Sequence, residues 1–141
     1  MQDRSKARAW ALHTLYAWEA RENADLELVL EEFLTRRRVA PSRRDYLRRL
    51  VEAVAEHAEA IDGALQDAIS NWRLERLAVI DRNVLRLAAA EMIYFTDIPP
   101  RVSIREALKL AERYGTDQSP RFVNGVLDAL MKSLEPEPEL K

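Results

Sequence analysis

The side chains whose types and spacing most clearly suggest a binding function lie near the two ends of the chain. Arg4, Lys6 and Arg8 place three cations ahead of the first apolar turn. Arg4 and Arg8 fall on the same side of a helix as the apolar stripe that follows, and an unpaired charge cannot enter a core. We therefore expect these first turns to extend beyond the folded body and to present their cations to solvent or to phosphates.

A second candidate site surrounds the junction of the last two predicted helices. Tyr114, Gly115, Arg121 and Phe122 flank this junction. Aromatic faces stack the bases of single-stranded RNA, while cations and the N–H groups of a helix N-terminus bind its phosphates. The junction can supply all three kinds of contact, although packing is the default role of both aromatic side chains.

The densest basic segment surrounds the predicted loop between the second and third helices. Four acidic residues, Glu31, Glu32, Asp45 and Glu52, lie within helical reach of several of its arginines. We interpret this segment as solvated surface, with accessory contact to RNA as the alternative. Its members are Arg36, Arg37, Arg38, Arg43, Arg44, Arg48 and Arg49.

Catalysis and metal binding have little support in this sequence. His13 and His57 are the two histidines, and they lie on different predicted helices without the i, i+4 spacing of a helical metal site. The chain has no Cys, no Gly-rich phosphate loop and no nucleophile elbow. We therefore expect no catalytic residue, no metal and no cofactor, unless folding brings a pair of acids together.

The composition indicates which secondary structure holds these residues in place. The 141 residues are 48% hydrophobic and 33% charged, and the net charge of −2 combines an excess of three positive charges over residues 1–49 with an excess of five negative charges over residues 50–141. Few glycines, many helix formers and no alternation of period two predict an all-α fold. No apolar run reaches the roughly 18 residues of a membrane span, and no signal-peptide core follows Met1, so we expect a cytoplasmic protein.

Apolar periodicity predicts seven helices within one domain, residues 1–134, followed by a mobile acidic tail with prolines, residues 135–141. The third and fourth helices separate near His57, and the fifth, over 77–95, is predicted to be central. Ser42 is expected to cap the third helix, Ser103 and Glu106 to form a capping box, and Gly115 to be a left-handed C-terminal residue. The other helices are predicted over 5–20, 26–37 and about 58–70, with the last two over 103–114 and from Ser119.

Four stretches of the chain resemble the NusB family, in the same order and over nearly the whole length. They are Ala7-Arg8 with Leu15 to Trp18, Trp72 to Leu77, Asp81 to Ala88 with Glu91, and Phe122 to Asp128 preceded by Ile104 to Ala107 and Tyr114-Gly115. Within the last stretch, Gly125 costs a helix about 1 kcal/mol relative to Ala. We therefore expect another helix or backbone segment to approach Gly125 closely.

The resemblance implies a non-enzymatic fold of seven helices in two small bundles. NusB proteins bind boxA-type RNA of ribosomal RNA leader transcripts together with the small-subunit ribosomal protein NusE, and act with other Nus factors on RNA polymerase. The resemblance assigns RNA phosphates to Arg4, Lys6 and Arg8, and base contacts to Tyr114, Gly115 and Phe122. Arg121 is added from its charge and position. The implied partner face contains Tyr16, Glu75, Arg76 and Asp81.

A second interpretation makes the domain a helical protein-interaction module without RNA specificity of its own. A related helical domain accompanies RNA cytosine methyltransferases at their N-termini. This chain ends soon after its last predicted helix and leaves no room for a cofactor-binding α/β domain, so we expect a stand-alone factor.

Overall fold

The computed structural model describes residues 2–22 and 24–135, and these form an all-α fold, as predicted. Seven α-helices and one short 3-10 turn, Leu74–Arg76, account for the regular structure of this part of the chain. The helices are α1 (Gln2–Ala20), α2 (Leu26–Arg37), α3 (Pro41–Glu56), α4 (Ala58–Ala68), α5 (Val79–Tyr94), α6 (Pro100–Tyr114) and α7 (Ser119–Leu134).

The helices form two small groups around one continuous core. Helices α1, α2 and α3 pack together, and helices α4, α5, α6 and α7 form the second group. Helix α5 lies at the centre and contacts α1, α3, α4, α6 and α7. Its buried residues Ala88, Ala89 and Ala90 are small, which lets neighbouring helices approach it. The prediction of a central fifth helix is therefore confirmed.

The break between α3 and α4 falls at His57, as predicted. Its backbone N–H donates to the carbonyl of Ala53 at 3.0 Å, which ends α3, and α4 begins at the next residue. The His57 ring stacks on Tyr94 with 3.8 Å between ring centroids. This stacking attaches the break to the central helix.

Two predicted helix starts are wrong. Helix α3 begins at Pro41 with Ala40 at its N-cap, so Ser42 lies inside the first turn and does not cap it. Helix α6 begins at Pro100 and not at Ser103, because proline has a preset helical φ and is tolerated in a first turn. Ser103 is buried and donates to Glu91, so the capping box does not form.

The roles expected of two glycines are also wrong. Gly115 has φ −93° and ψ −161°, which is extended backbone and not the left-handed conformation. A Cβ atom there would lie 2.6 Å from Ser119 Cβ and 2.8 Å from the carbonyl oxygen of Ala111. Gly125 faces open space, with no atom within 4 Å of a Cβ placed on it. The close approach expected at Gly125 therefore occurs at Gly115.

The sequence predicts a mobile acidic tail and no membrane-spanning segment. Of the predicted tail at 135–141, residues 136–141 lie outside the described residues. Over the described ranges, none of the helices combines the length and the apolar character needed to span a bilayer.

Candidate nucleic-acid interface

Arg8 is buried, and the expectation that it extends beyond the folded body is wrong. The residue is 6% exposed. Its Nε lies 2.7 Å from Glu91 Oε2, and its Nη1 lies 3.3 Å from Glu106 Oε1. These carboxylates come from α5 and α6, so the partners that allow this charge into the core are distant in sequence.

Further hydrogen bonds complete the surroundings of Arg8. The Tyr46 hydroxyl of α3 donates to Glu91 Oε2 at 2.6 Å, and Ser103 donates to Glu91 Oε1 at 2.8 Å. Burial, together with the hydrogen bond to Glu91, raises the pKa of Tyr46 above its ordinary value. We call Arg8, Tyr46, Glu91, Ser103 and Glu106 the Arg8 cluster. It joins α1, α3, α5 and α6 and fixes the direction of the first helix.

Glu106 of α6 supplies one of the two negative charges that face Arg8. Burial by itself would raise the pKa of Glu106, but hydrogen bonds from Ser5 and Lys109 and the charge of Arg8 lower it further than burial raises it. Lys109 Nζ lies 3.0 Å from Glu106 Oε2. The carboxylate is therefore ionised at neutral pH.

Arg4 and Lys6 remain at the surface of the first helix. The Arg4 guanidinium lies 4.7 Å from the centroid of the Tyr46 ring and 3.7 Å from an Asp97 oxygen, and its side chain is 46% exposed. Lys6 is exposed, and no ion pair involves it within the part of the chain that the structure describes. The first turns thus pack on the domain and still direct two cations to solvent.

The aromatic corner at the end of α6 lies beside the first helix. The half-buried Tyr114 ring meets the His13 ring edge to face, with centroids 5.0 Å apart. Lys6 precedes His13 by two helical turns, or about 10 Å along the helix axis. The two regions that sequence analysis assigned to RNA therefore lie within the reach of one short oligonucleotide.

The start of α7 adds the remaining predicted RNA-binding residues. Phe122 is half-buried and Arg121 is exposed. Phe122 lines an open cavity of about 240 Å³ together with Trp72 and Asp81. Asp81 Oδ1 is buried there without a hydrogen-bond partner among the described residues. The cavity thus joins a predicted base-contacting side chain to a residue of the predicted partner face.

The other predicted partner residues surround the beginning of α5. Tyr16 is 51% exposed and lines a second open cavity, of about 420 Å³, with Val79 and Arg82. Glu75 and Arg76 are exposed on the 3-10 turn that precedes α5. The structure therefore brings Tyr16 to one side of the α5 N-terminus and Asp81 to the other.

A cluster of ion pairs joins α1, α4 and α5 next to the predicted partner residues. Glu19 of α1 accepts from Arg82 at 2.7 Å and from Arg86 at 2.6 Å, and Arg86 also pairs with Asp62 of α4 at 2.9 Å. Burial would raise the pKa of Glu19, but the hydrogen bonds and charges of the two arginines lower it overall. These contacts hold the α1 segment that carries Tyr16 against α5.

Trp72 was not among the candidate residues of the sequence analysis, although it lines the same cavity as Phe122 and Asp81. Its side chain is 63% exposed, and it lies beside Asp81 and Phe122 at the shared cavity. The available signal was a tryptophan in a polar stretch between two helices, where no apolar periodicity requires it for packing.

Comparison with known proteins identifies relatives of this chain over most of its length. Residues 5–132 match the sequence model of the NusB family. A transcription antitermination protein NusB from Chloroherpeton thalassium is 39% identical over 127 residues, which cover 89% of this chain and 60% of that longer protein. The NusB protein of Pseudothermotoga lettingae is 39% identical over 137 residues, covering 97% of this chain and 96% of the relative.

One solved structure shows the same fold in an assembly. The complex of the antitermination factors NusB and NusE with double-stranded RNA contains a chain that superposes with a TM-score of 0.85 at 28% identity, covering 94% of this chain and 98% of that chain. The seven-helix fold, the match over residues 5–132 and these relatives show that the chain belongs to the NusB family of transcription antitermination proteins.

Proposed function

We propose that this protein is a non-enzymatic transcription antitermination factor that binds boxA-type single-stranded RNA together with NusE. The observation that carries the proposal is the cavity shared by Phe122, Trp72 and Asp81. A base-contacting corner and a partner face meet there, so RNA and protein can bind side by side. The complex of the NusB and NusE relatives with RNA supports this pairing.

The RNA face would consist of exposed cations and partly exposed rings. Arg4, Lys6 and Arg121 hold phosphates, while Tyr114 and Phe122 stack bases. Gly115 lets the backbone between the two aromatic residues pass close to α7, which shapes the corner. Arg8 has a different role from the one its sequence position suggests, because its guanidinium is occupied by two carboxylates. It positions the first helix and does not contact phosphate.

The partner face would bind a basic ribosomal protein. Glu75 and Asp81 supply negative charge, and the exposed ring of Tyr16 supplies apolar area at the same end of the domain. Arg76 adds a donor between them. Complementary charge of this kind speeds association and excludes wrong partners more than it increases affinity.

The proposal includes no catalytic step and places the protein in the cytoplasm. The carboxylates that folding brings together, Glu91 and Glu106, are buried against Arg8, Tyr46 and Ser103. Both carboxylates bind Arg8 and are shielded from solvent, so this pair offers no open acid–base site for a substrate. A factor that acts on nascent transcripts works where bacterial RNA polymerase works.

The test is fluorescence anisotropy with a labelled boxA-like RNA, a scrambled RNA of equal length and the corresponding duplex, each with and without NusE. We expect the boxA-like single strand to bind most tightly, to weaken steeply as salt rises and to bind more tightly when NusE is present. Equal affinity for the scrambled strand in the presence of NusE would contradict sequence-specific binding. Preference for the duplex would contradict the stacking role of Tyr114 and Phe122.

A further inference from the structure

A continuous line of aromatic rings crosses the first helix between α2 and α6. Phe33 meets Trp10 with centroids 5.4 Å apart, Trp10 meets His13 at 6.1 Å, and His13 meets Tyr114 at 5.0 Å. All three contacts are edge to face. We call these four residues the aromatic strip. It connects the predicted base-contacting corner to the carboxyl end of α2.

The strip carries an arginine at each end. The Arg37 guanidinium lies 5.5 Å from the centroid of Phe33, and the Arg113 guanidinium lies 5.5 Å from the centroid of Tyr114. Burial lowers the pKa of His13, and the charges of Arg37 and Arg113 lower it further, since both cations act on the imidazole. The middle of the strip therefore lies in a positive field.

The arginines at the end of α2 keep their charges available. Among the described residues, none of Arg36, Arg37 and Arg38 has a carboxylate oxygen within 4.0 Å. The nearby acids form their ion pairs elsewhere, because Glu32 binds Arg21 at 2.6 Å and Glu31 binds Arg48, and Arg36 acts on Glu32 only through its charge at longer range. Arg36 and Arg37 follow Phe33 by three and four residues, so they share its face of α2.

We propose that the aromatic strip extends the RNA track across α1 to α2, where Arg36 and Arg37 hold the phosphates of a flanking single strand. His13 is exposed and Trp10 and Tyr114 are half-buried, so these rings can stack bases between the two positive ends. Phe33 is 9% exposed and serves as the surface on which Arg37 lies. The inference rests on the proposed RNA-binding function and adds a second contact region to it.

RNA fits this surface better than an acidic protein segment does. Cations at both ends of a row of rings match a strand in which phosphates alternate with bases, and arginine binds phosphate and stacks on rings. The strip also includes Tyr114, which is one of the residues proposed to contact boxA. A strand bound at the corner can continue along it without leaving the protein surface.

The experiment compares RNAs of two lengths. Salt-dependent anisotropy is measured with a boxA-like RNA and with versions lengthened by several nucleotides at either end. We expect one lengthened RNA to bind the wild-type protein more tightly than the short RNA. The double variant Arg36→Gln, Arg37→Gln should lose this gain and reduce the salt slope for the longer RNA by about 1.4, the value for two phosphates of a single strand. Its affinity for the short RNA should stay unchanged.

A matched control removes two exposed cations that belong neither to the strip nor to its two arginine ends. Arg73 and Lys132 have side chains 73% and 69% exposed, so Arg73→Gln with Lys132→Gln causes the same loss of charge. This control should retain the gain from lengthening. His13→Ala should lose roughly fivefold or more in affinity for the longer RNA, in line with the loss of one stacked base.

The outcomes separate the two proposals. If the wild-type protein binds no RNA, the proposed function fails and the extended track fails with it. If both RNAs bind the wild-type protein but the α2 double variant keeps the full gain, the extended track alone is wrong. An equal loss in the Arg73 and Lys132 control would also overturn it, because the effect would then reflect net charge.

Discussion

The Arg8 cluster and the end of α2 show two opposite uses of arginine in one small domain. Arg8 stands in a sequence segment that predicts an exposed cation, yet it is buried and bound by Glu91 and Glu106. Arg36 and Arg37 are exposed, and the acids within helical reach of their segment form ion pairs with Arg21 and Arg48. Local sequence therefore predicted the wrong environment for Arg8, whereas at the end of α2 it correctly indicated exposed arginines but not the ion pairs that the nearby acids form.

The difference has one physical cause. Whether a charge can be buried depends on partners that tertiary structure supplies, and Glu91 and Glu106 lie more than eighty residues after Arg8. Whether a surface arginine forms an ion pair depends on which arginine the fold places closest to the nearest acid. Arg48 of α3 and Arg21 of the α1–α2 connection reach Glu31 and Glu32. Neither contact follows from helical spacing alone.

The most severe test of this comparison is Arg8→Ala. Removing one partner of a buried ion pair leaves uncompensated carboxylates in the core, so the free energy of unfolding should fall by about 3–5 kcal/mol. Urea denaturation followed by circular dichroism measures the change. A loss below about 1 kcal/mol would show that Arg8 is not held as tightly as its distances indicate, and the comparison would collapse.

Lys6→Ala is the matched control for Arg8→Ala, because both residues are cations in the first turns of α1. Lys6 is exposed, so its removal should leave the unfolding free energy within about 0.5 kcal/mol of wild type. It should instead reduce the salt slope of RNA binding by about 0.7. The two substitutions thus separate the structural cation from the proposed phosphate-binding one.

Phe122→Ala tests whether a half-buried ring of the proposed RNA face stacks a base. If the ring stacks a base, the substitution should cost roughly 1–3 kcal/mol of RNA affinity. Because Phe122 is half-buried and packs against the core, stability should fall as well, so affinity must be referred to the folded fraction. Unchanged affinity per folded molecule would assign Phe122 to packing and remove it from the RNA face.

Acid sensitivity should depend on Glu106 in the buried region. The folded state lowers the pKa of this carboxyl below its ordinary value of about 4.5, so its contribution to stability is present above that pH. The contribution is lost as pH falls through the folded value, because protonation breaks the pairing with Arg8 and Lys109. Glu106→Gln should therefore show a flatter decrease of melting temperature below pH 4.5 than wild type. An unchanged profile would place the acid sensitivity elsewhere.

Sequence alone predicted the helices well and the contacts between them poorly. The bounds of α2 and the break at His57 follow from local periodicity, which the chain carries within a few residues. The Arg8 cluster and the aromatic strip each join at least three helices, so no spacing within one helix reveals them. Trp72 differs from these, because its place in a polar stretch was visible in the sequence, while the cavity it lines beside Phe122 and Asp81 depends on tertiary structure.

Substitutions at Gly115 and Gly125 should have the smallest effects, and they compare a closely packed position with an open one. At Gly125 a methyl group meets nothing within 4 Å, so Gly125→Ala should stabilise the protein by about 0.4–1 kcal/mol by restricting the unfolded chain. At Gly115 a methyl group would meet Ser119 and the Ala111 carbonyl, so Gly115→Ala should lower the melting temperature. Thermal unfolding measures both. If Gly125→Ala gained stability and also lost RNA affinity, the open space above Gly125 would be where a bound strand comes close to α7.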